Sequence, residues 1–154
     1  MLVKDAMTRR PETIAPGETL AAAARKMRAA GVGVLPVCEE ERLVGMLTDR
    51  DIVVRAIAAG EDPRESAVRD AMTPQVVSCV EDEDLEAAAT LMDEHAVRRM
   101  AVVDAAGALV GILSVDDLAL FSRALAGEVL EHSREPGRPL ERGGYPWWQE
   151  DEGP

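Results

Sequence analysis

Aromatic residues are nearly missing from this 154-residue chain, which holds one Phe, one Tyr and two Trp. Its hydrophobic content of 47% therefore rests on Ala, Val, Leu, Ile and Met, and any core must be built from them. Cysteine is as scarce. Cys38 and Cys79 are too few for a disulfide framework and too far apart for a zinc knuckle. Both sit in apolar stretches, where a thiol behaves as a small hydrophobe. His95 and His132 are the only histidines, and neither has a Cys or a second His nearby, so no metal cluster is expected. There is no Gly-x-x-x-x-Gly-Lys loop to cradle a phosphate, and Gly31-Val32-Gly33 is only a fragment of a dinucleotide fingerprint. With no nucleophile, base and metal set in view, catalysis is not expected. Positive charge is also in short supply. Lys plus Arg is 17 against 29 Asp plus Glu, a formal net charge of -12 and a pI near 4.6. Such a surface repels phosphate backbones and anionic membranes, so nucleic acid and membrane are not expected partners. No uncharged run approaches the roughly 20 residues of a membrane span, and the N-terminus lacks an apolar stretch of signal-peptide length. The expected compartment is the cytoplasm.

What the chain does have is repetition. Val3-Lys4-Asp5-Ala6-Met7-Thr8 recurs as Val68-Arg69-Asp70-Ala71-Met72-Thr73, an offset of 65. The match runs on through Glu18/Glu83, Leu20/Leu85 and Met27/Met92. After a one-residue insertion, Leu43-Val44-Gly45-Met46-Leu47 matches Leu109-Val110-Gly111-Ile112-Leu113, followed by Asp51/Asp117. Duplication of this kind defines the architecture before any other signal does. The units are placed at 1–67 and 68–127.

Each unit reads as β-α-β-β-α. A short strand (12–14; 76–79) leads into an Ala-rich helix with Thr19 or Asp84 at its N-cap. Leu20, Ala23, Ala24 and Met27, and their counterparts Leu85, Ala88, Ala89 and Met92, recur at helical spacing. Two apolar runs follow in each unit (32–38 and 43–48; 99–103 and 109–114), separated by turn or charge clusters as hairpins require. A closing helix is predicted over 49–59 and 115–126. Neither unit alone covers both faces of its sheet, so the two are expected to pack on each other. Residues 128 to 154 break the pattern with four Pro and four Gly and read as a flexible acidic tail. That tail carries Tyr145, Trp147 and Trp148, which would serve a docking peptide covering an apolar patch.

The strongest chemical candidate occurs twice, where the last strand of each unit meets its closing helix: Gly45-Met46-Leu47-Thr48-Asp49-Arg50-Asp51 and Gly111-Ile112-Leu113-Ser114-Val115-Asp116-Asp117. A hydroxyl followed three residues later by a carboxylate is a capping box. A carboxylate there can also accept two hydrogen bonds from a vicinal diol, as an acidic residue does when it holds a ribose. The preceding Gly would permit close approach of a ligand to the backbone.

These residues resemble a known family. Met-Thr near each start, Val34-Leu35-Pro36-Val37 on a strand and Gly-x-x-Thr/Ser-x-x-Asp at the last helix look like a tandem pair of CBS domains, a Bateman module, over residues 1 to 127. The run Leu47-Thr48-Asp49-Arg50-Asp51-Ile52-Val53 is similar to stand-alone CBS-pair proteins, including the hypoxic-response type. The resemblance implies a mixed α/β fold, two β-α-β-β-α repeats packed with pseudo-two-fold symmetry, and two clefts between them. In the family such clefts often take AMP, ADP, ATP or S-adenosylmethionine. It further implies that Thr48 and Asp51 hold a ribose together with Val76, Val77, Ser78 and Arg99. Ser114 and Asp117 would do so with Pro11 to Thr13, Val32 and Gly33. One departure is Ala101, which stands where the family usually has a strand proline.

The implied function is a non-catalytic regulatory module that binds an adenosine-containing ligand and signals occupancy to a separate effector protein. The alternative is a ligand-free dimeric scaffold acting through its dimer surface or its aromatic tail. No cofactor is required in either case. Apolar surplus on the closing helices (Ile52, Val53, Ala56, Ile57; Leu118, Leu120, Phe121) predicts a homodimer. Charge predicts inequivalent clefts: 1–67 carries 10 basic and 11 acidic residues, whereas 68–127 carries 4 and 11, with Arg98 and Arg99 together at one strand. By the family's geometry Arg99 would serve the Thr48/Asp51 cleft.

Overall fold

The computed structural model describes residues 1–133. In chain order it runs α1 (Val3–Ala6), β1 (Thr8–Arg9), α2 (Leu20–Ala30), β2 (Val34–Glu39), β3 (Arg42–Thr48), α3 (Asp49–Asp51) and a π-helix (Ile52–Ile57). The second half follows with α4 (Val68–Ala71), β4 (Ser78–Val80), α5 (Leu85–Glu94), β5 (Arg99–Val103), β6 (Leu109–Ser114), α6 (Val115–Phe121) and α7 (Arg123–Ser133). The long helices start where the sequence says they should. Thr19 Oγ1 accepts from the Ala22 amide at 3.1 Å, and the Asp84 carboxylate accepts from the Glu86 amide at 2.9 Å. Their ends differ: α2 stops on Gly31 at φ 67, and the matching residue after α5 is Ala96 at φ 52.

The strands form a four-stranded sheet in the order β1-β6-β5-β4 and a separate β2-β3 hairpin. The first half's expected strand over 12–14 is reduced to one parallel bridge, Ile14 to Val37, and its counterpart β4 pairs in parallel with β5. The repeats are not self-contained, because each lends its opening segment to the other. β1 pairs with β6, and Thr73 pairs with Met46 on β3. Val3 and Lys4 amides donate to the Glu83 and Glu81 carbonyls, and Val68 and Arg69 amides donate to Glu18 and Pro16 at the matching places. Burial follows the exchange. Val3, Ala6 and Met7 join the core of α5, β5, β6, α6 and α7, whereas Val68 and Ala71 join the core of α2, β2, β3 and the π-helix. The 67/68 boundary follows the sequence repeat, and each core draws on residues from both sides of it.

Three further expectations need correction. The first closing helix is not one α-helix over 49–59: after Asp51 it widens, with Ala58 and Glu61 amides bonding five residues back to Val53 and Ala56. The second breaks at Ser122, which is extended, and α7 restarts at Arg123. The tail boundary at 127/128 falls inside α7, where Ala126 and Val129 are buried against α5 and α6. The three tail aromatics, Tyr145, Trp147 and Trp148, lie outside the described residues.

The inner strands show why the halves must face each other. Met100, Val102 and Leu113 fill one core, and Leu35, Val37 and Leu47 fill the other. Residues of opposite parity, Val34, Pro36, Ala101 and Ile112, are also buried but belong to neither core. Side chains alternate faces along a strand, so these residues form the layer between the halves. At one edge the hairpin turns touch, through an Arg42–Ala108 bridge and a 3.1 Å bond from the Leu109 amide to the Glu41 carbonyl.

Candidate functional site

Both hydroxyl–carboxylate turns sit at the far end of the closing strand, opposite the hairpin turns, and both are complete capping boxes. Thr48 Oγ1 accepts from the Asp51 amide at 3.0 Å, and Asp51 Oδ2 accepts from the Thr48 amide at 2.9 Å. Ser114 Oγ accepts from the Asp117 amide at 3.2 Å, while Asp117 Oδ2 takes the Ser114 amide and hydroxyl, each at 2.8 Å. Neither carboxylate is saturated, because a carboxylate offers about four lone-pair positions. Asp51 Oδ1 lies 3.7 Å from Arg55 Nη2. Among the described residues, Asp117 Oδ1 has no such partner. All four side chains are half-buried, so the unused lone pairs remain within reach of solvent.

The glycines of the two motifs are required by packing. A Cβ on Gly45 would lie 2.6 Å from Met72 Sδ and 2.9 Å from the Thr73 carbonyl oxygen. On Gly111 it would lie 2.5 Å from Met7 Sδ and 2.9 Å from the Thr8 carbonyl oxygen. These glycines exist because the exchanged opening segment of the other repeat crosses there, which corrects the expectation of ligand approach. Gly33 is similarly accounted for by packing: its carbonyl accepts from the Asp49 amide at 2.9 Å, and a Cβ would meet Asp49 Oδ2 at 2.9 Å.

In the other half, Arg98 takes the place of Gly33 and its carbonyl accepts from the Val115 amide at 3.0 Å. Arg99 then pairs across the ladder with Ser114, as Val34 pairs with Thr48. Arg99 shares the parity of Ala101, so its side chain leaves the face that looks toward the first half. Arg98 precedes the strand. Both arginines are exposed, and neither is paired with an acid among the described residues. Val34, by contrast, is buried. Val76 and Val77, on the approach to β4, and Ser78, its first residue, are half-buried, and Val32 is exposed.

Pro11 and Thr13 are placed elsewhere. They line an open cavity of about 570 Å³ at the hairpin-turn end, with Arg10, Lys26, Glu41 and Asp104. Lys26 Nζ donates to the Thr13 carbonyl there at 2.7 Å. Ser114, Asp117, Val32 and Gly33 do not line this cavity. Sequence reasoning missed Arg55, whose guanidinium donates to the Ala71 and Met72 carbonyls at 3.0 and 3.2 Å. Its spacing of four from Asp51 was the available signal. Burial raises the Cys38 thiol and pushes Cys79 up to about 11, with the Glu83 charge adding to the latter. Among the described residues no three His, Cys, Asp or Glu side chains converge to hold a metal, and no helix is long and apolar enough to cross a membrane.

The fold and the doubled turn define a class: a tandem-repeat module whose two halves exchange their opening segments and present one hydroxyl–carboxylate turn each. The model of the CBS domain matches residues 3–57 and 68–123, and the chain belongs to that family. It is 42% identical over 130 residues to CBS domain-containing protein YhcV of Bacillus subtilis, spanning 83% of this chain and 91% of that one. Hypoxic response protein 1 of Mycobacterium tuberculosis is 37% identical over 117 residues, or 75% and 81% of the two chains. A solved structure of Hypoxic Response Protein I, with two coordinated zinc ions, superposes with a TM-score of 0.72 at 35% identity, covering 79% of this chain and 99% of that one. CBSX2, solved in complex with AMP, gives a TM-score of 0.67 at 30% identity over 77% and 93% of the two chains. The CBS domain pair of protein MJ0100, solved with 5-methylthioadenosine and S-adenosyl-L-methionine, gives 0.70 at 29% over 79% and 100%.

Proposed function

We propose that this protein is a non-catalytic regulatory module that binds adenosine-containing ligands at its two hydroxyl–carboxylate turns and signals their occupancy to a partner protein. The observation that carries this reading is the duplicated turn itself. Each half presents a half-buried carboxylate with unused lone pairs, and two solved relatives hold adenosine compounds. In the first cleft Thr48 and Asp51 hold the ribose, with Val76, Val77 and Ser78 against the base and Arg99 on the phosphate. The planar guanidinium fork of Arg99 suits phosphate oxygens. In the second, Ser114 and Asp117 hold the ribose with Val32 and Gly33, and Thr13, which lines the cavity at the opposite end, drops out of the set. No cation stands at Val34, so this second cleft takes a weaker or less anionic ligand. The module acts as a homodimer in the cytoplasm, paired through Val53, Ile57, Leu120 and Phe121, which are 46–80% exposed.

Calorimetry with AMP, ATP and S-adenosylmethionine tests the reading. Asp51→Ala and Arg99→Ala should each cost AMP about ten- to a hundredfold, the size of a lost charge-assisted contact, while Asp117→Ala spares it. The reverse pattern reassigns the phosphate to the cleft beside Ser114, the ladder partner of Arg99. A flat panel at millimolar ligand leaves the scaffold reading, in which the dimer surface is the working part.

A further inference from the structure

The two closing helices begin with the same capping box and then diverge. After Asp51 the backbone becomes a π-helix, a rare element that is frequent at functional sites. This widened turn carries Arg55, which reaches in two directions at once. Nη2 faces Asp51 Oδ1 at 3.7 Å, and Nη1 donates to the carbonyls of Ala71 and Met72. Those carbonyls close α4, the opening segment that the second repeat lends to the first core. Four residues beyond Met72 the chain reaches Val76, Val77 and Ser78. One guanidinium therefore joins the carboxylate of the first turn to the backbone that leads into the flank of the same cleft. The equivalent position in the second half is Phe121, which is 46% exposed and cannot make such a tie.

We propose that Arg55 is a positioning residue for the Thr48/Asp51 cleft: it couples the Asp51 carboxylate to the 71–78 segment, and the Ser114/Asp117 cleft has no counterpart. This rests on the adenosine reading above. A planar fork makes the tie because it presents several donors in fixed directions, which an ammonium does not. Asp51 keeps its capping bond from the Thr48 amide through Oδ2, and at 3.7 Å Arg55 leaves Oδ1 able to accept from a ribose diol. Ligand at that cleft thus tightens the segment that crosses between the repeats.

The test combines AMP calorimetry with hydrogen exchange on the full chain, for wild type, Arg55→Ala, Arg55→Lys and the exposed control Arg64→Ala. Both Arg55 variants should weaken AMP about tenfold, roughly the loss of one modest charge-assisted contact. Both should also speed amide exchange over 72–78 without ligand, leaving the matching 7–13 segment unchanged, and Arg64→Ala should alter neither. The lysine variant keeps the test valid where the alanine variant is too unstable to assay. Wild-type affinity in both variants, or weaker binding without faster exchange over 72–78, overturns the coupling. If wild type binds no adenosine compound, the adenosine reading fails on its own. The tie to 71–78 then stands on faster ligand-free exchange in the Arg55 variants, and unchanged exchange overturns it.

Discussion

The halves of this molecule share a helix, a strand hairpin and a capping box, yet they solve the same problems with different side chains. Val3 and Val68 dock into the opposite core through matching amide bonds, and Gly45 and Gly111 make identical room for Met72 and Met7. Where the halves diverge is at the ends of their elements. The helix after the second turn breaks at Ser122 and sends α7 back over α5, but among the described residues the first half has no such cover. Thus Ala89 is buried on α5, whereas its counterpart Ala24 on α2 is exposed. Arg55 stands against Phe121, Val34 against Arg99, Pro36 against Ala101 and Gly31 against Ala96. Duplication fixed what holds the two halves together, and the divergent positions include residues beside the two clefts and at the helix ends.

The largest effect should come from removing the extra cover of the second half. A chain ending at residue 127 loses buried Val129 and half-buried Leu130, and should be about 2–5 kcal/mol less stable than one ending at 133. Thermal melts of the two truncations check this, and equal melting temperatures would show that α7 is dispensable. Next come the crossings. Gly45→Ala and Gly111→Ala should each cost about 1–3 kcal/mol, because a methyl there meets a backbone carbonyl as well as a flexible sulfur. Denaturant midpoints should fall alike for both, and a large difference between them would break the symmetry of the exchange. The helix ends offer a smaller contrast of opposite sign. Ala96→Gly should stabilise by about 0.5–1 kcal/mol, since a left-handed backbone favours glycine, and Gly31→Ala should destabilise by a similar amount. Urea titrations of both variants decide the point. Smallest in energy is the thiol contrast. Both pKa values are raised, so neither thiol ionises readily at neutral pH, and reactivity rises only as pH climbs toward the folded pKa. Half-exposed Cys38 should alkylate first at pH 8, and Cys79, at about 11 and buried, only on unfolding. Mass spectrometry of the labelled peptides reads the order.

Much of the fold was legible. The repeats, the caps at Thr19 and Asp84, and strands β5 and β6 follow from periodicity and turn chemistry, which act over a few residues. The capping boxes at Thr48/Asp51 and Ser114/Asp117 were legible for the same reason. Less was legible where the cause lies far along the chain. The glycines at 45 and 111 looked like ligand approach because nothing local shows Met72 or Met7 crossing above them. Arg55 gave no local sign of its role, since its carbonyl partners lie 16 and 17 residues away. The tail was cut too early because Pro and Gly begin at 136, and the pattern of buried positions in α7 is too short to announce itself.

The amino-acid sequence by itself determined that the protein is a duplication, that each copy carries an Ala-rich helix followed by a strand hairpin, and that a hydroxyl and a carboxylate open each closing helix. Those properties depend on spacing within one element, and spacing is written in the chain. Only the tertiary structure decided which core each opening segment joins, which glycine faces which methionine, and which carboxylate has an arginine behind it. Residues 65 apart in sequence occupy equivalent places, so local chemistry alone cannot choose between docking at home and docking in the other repeat. Here the reciprocal exchange of β1 and α1 for Thr73 and α4 made that choice, burying both opening segments in cores that neither repeat completes alone.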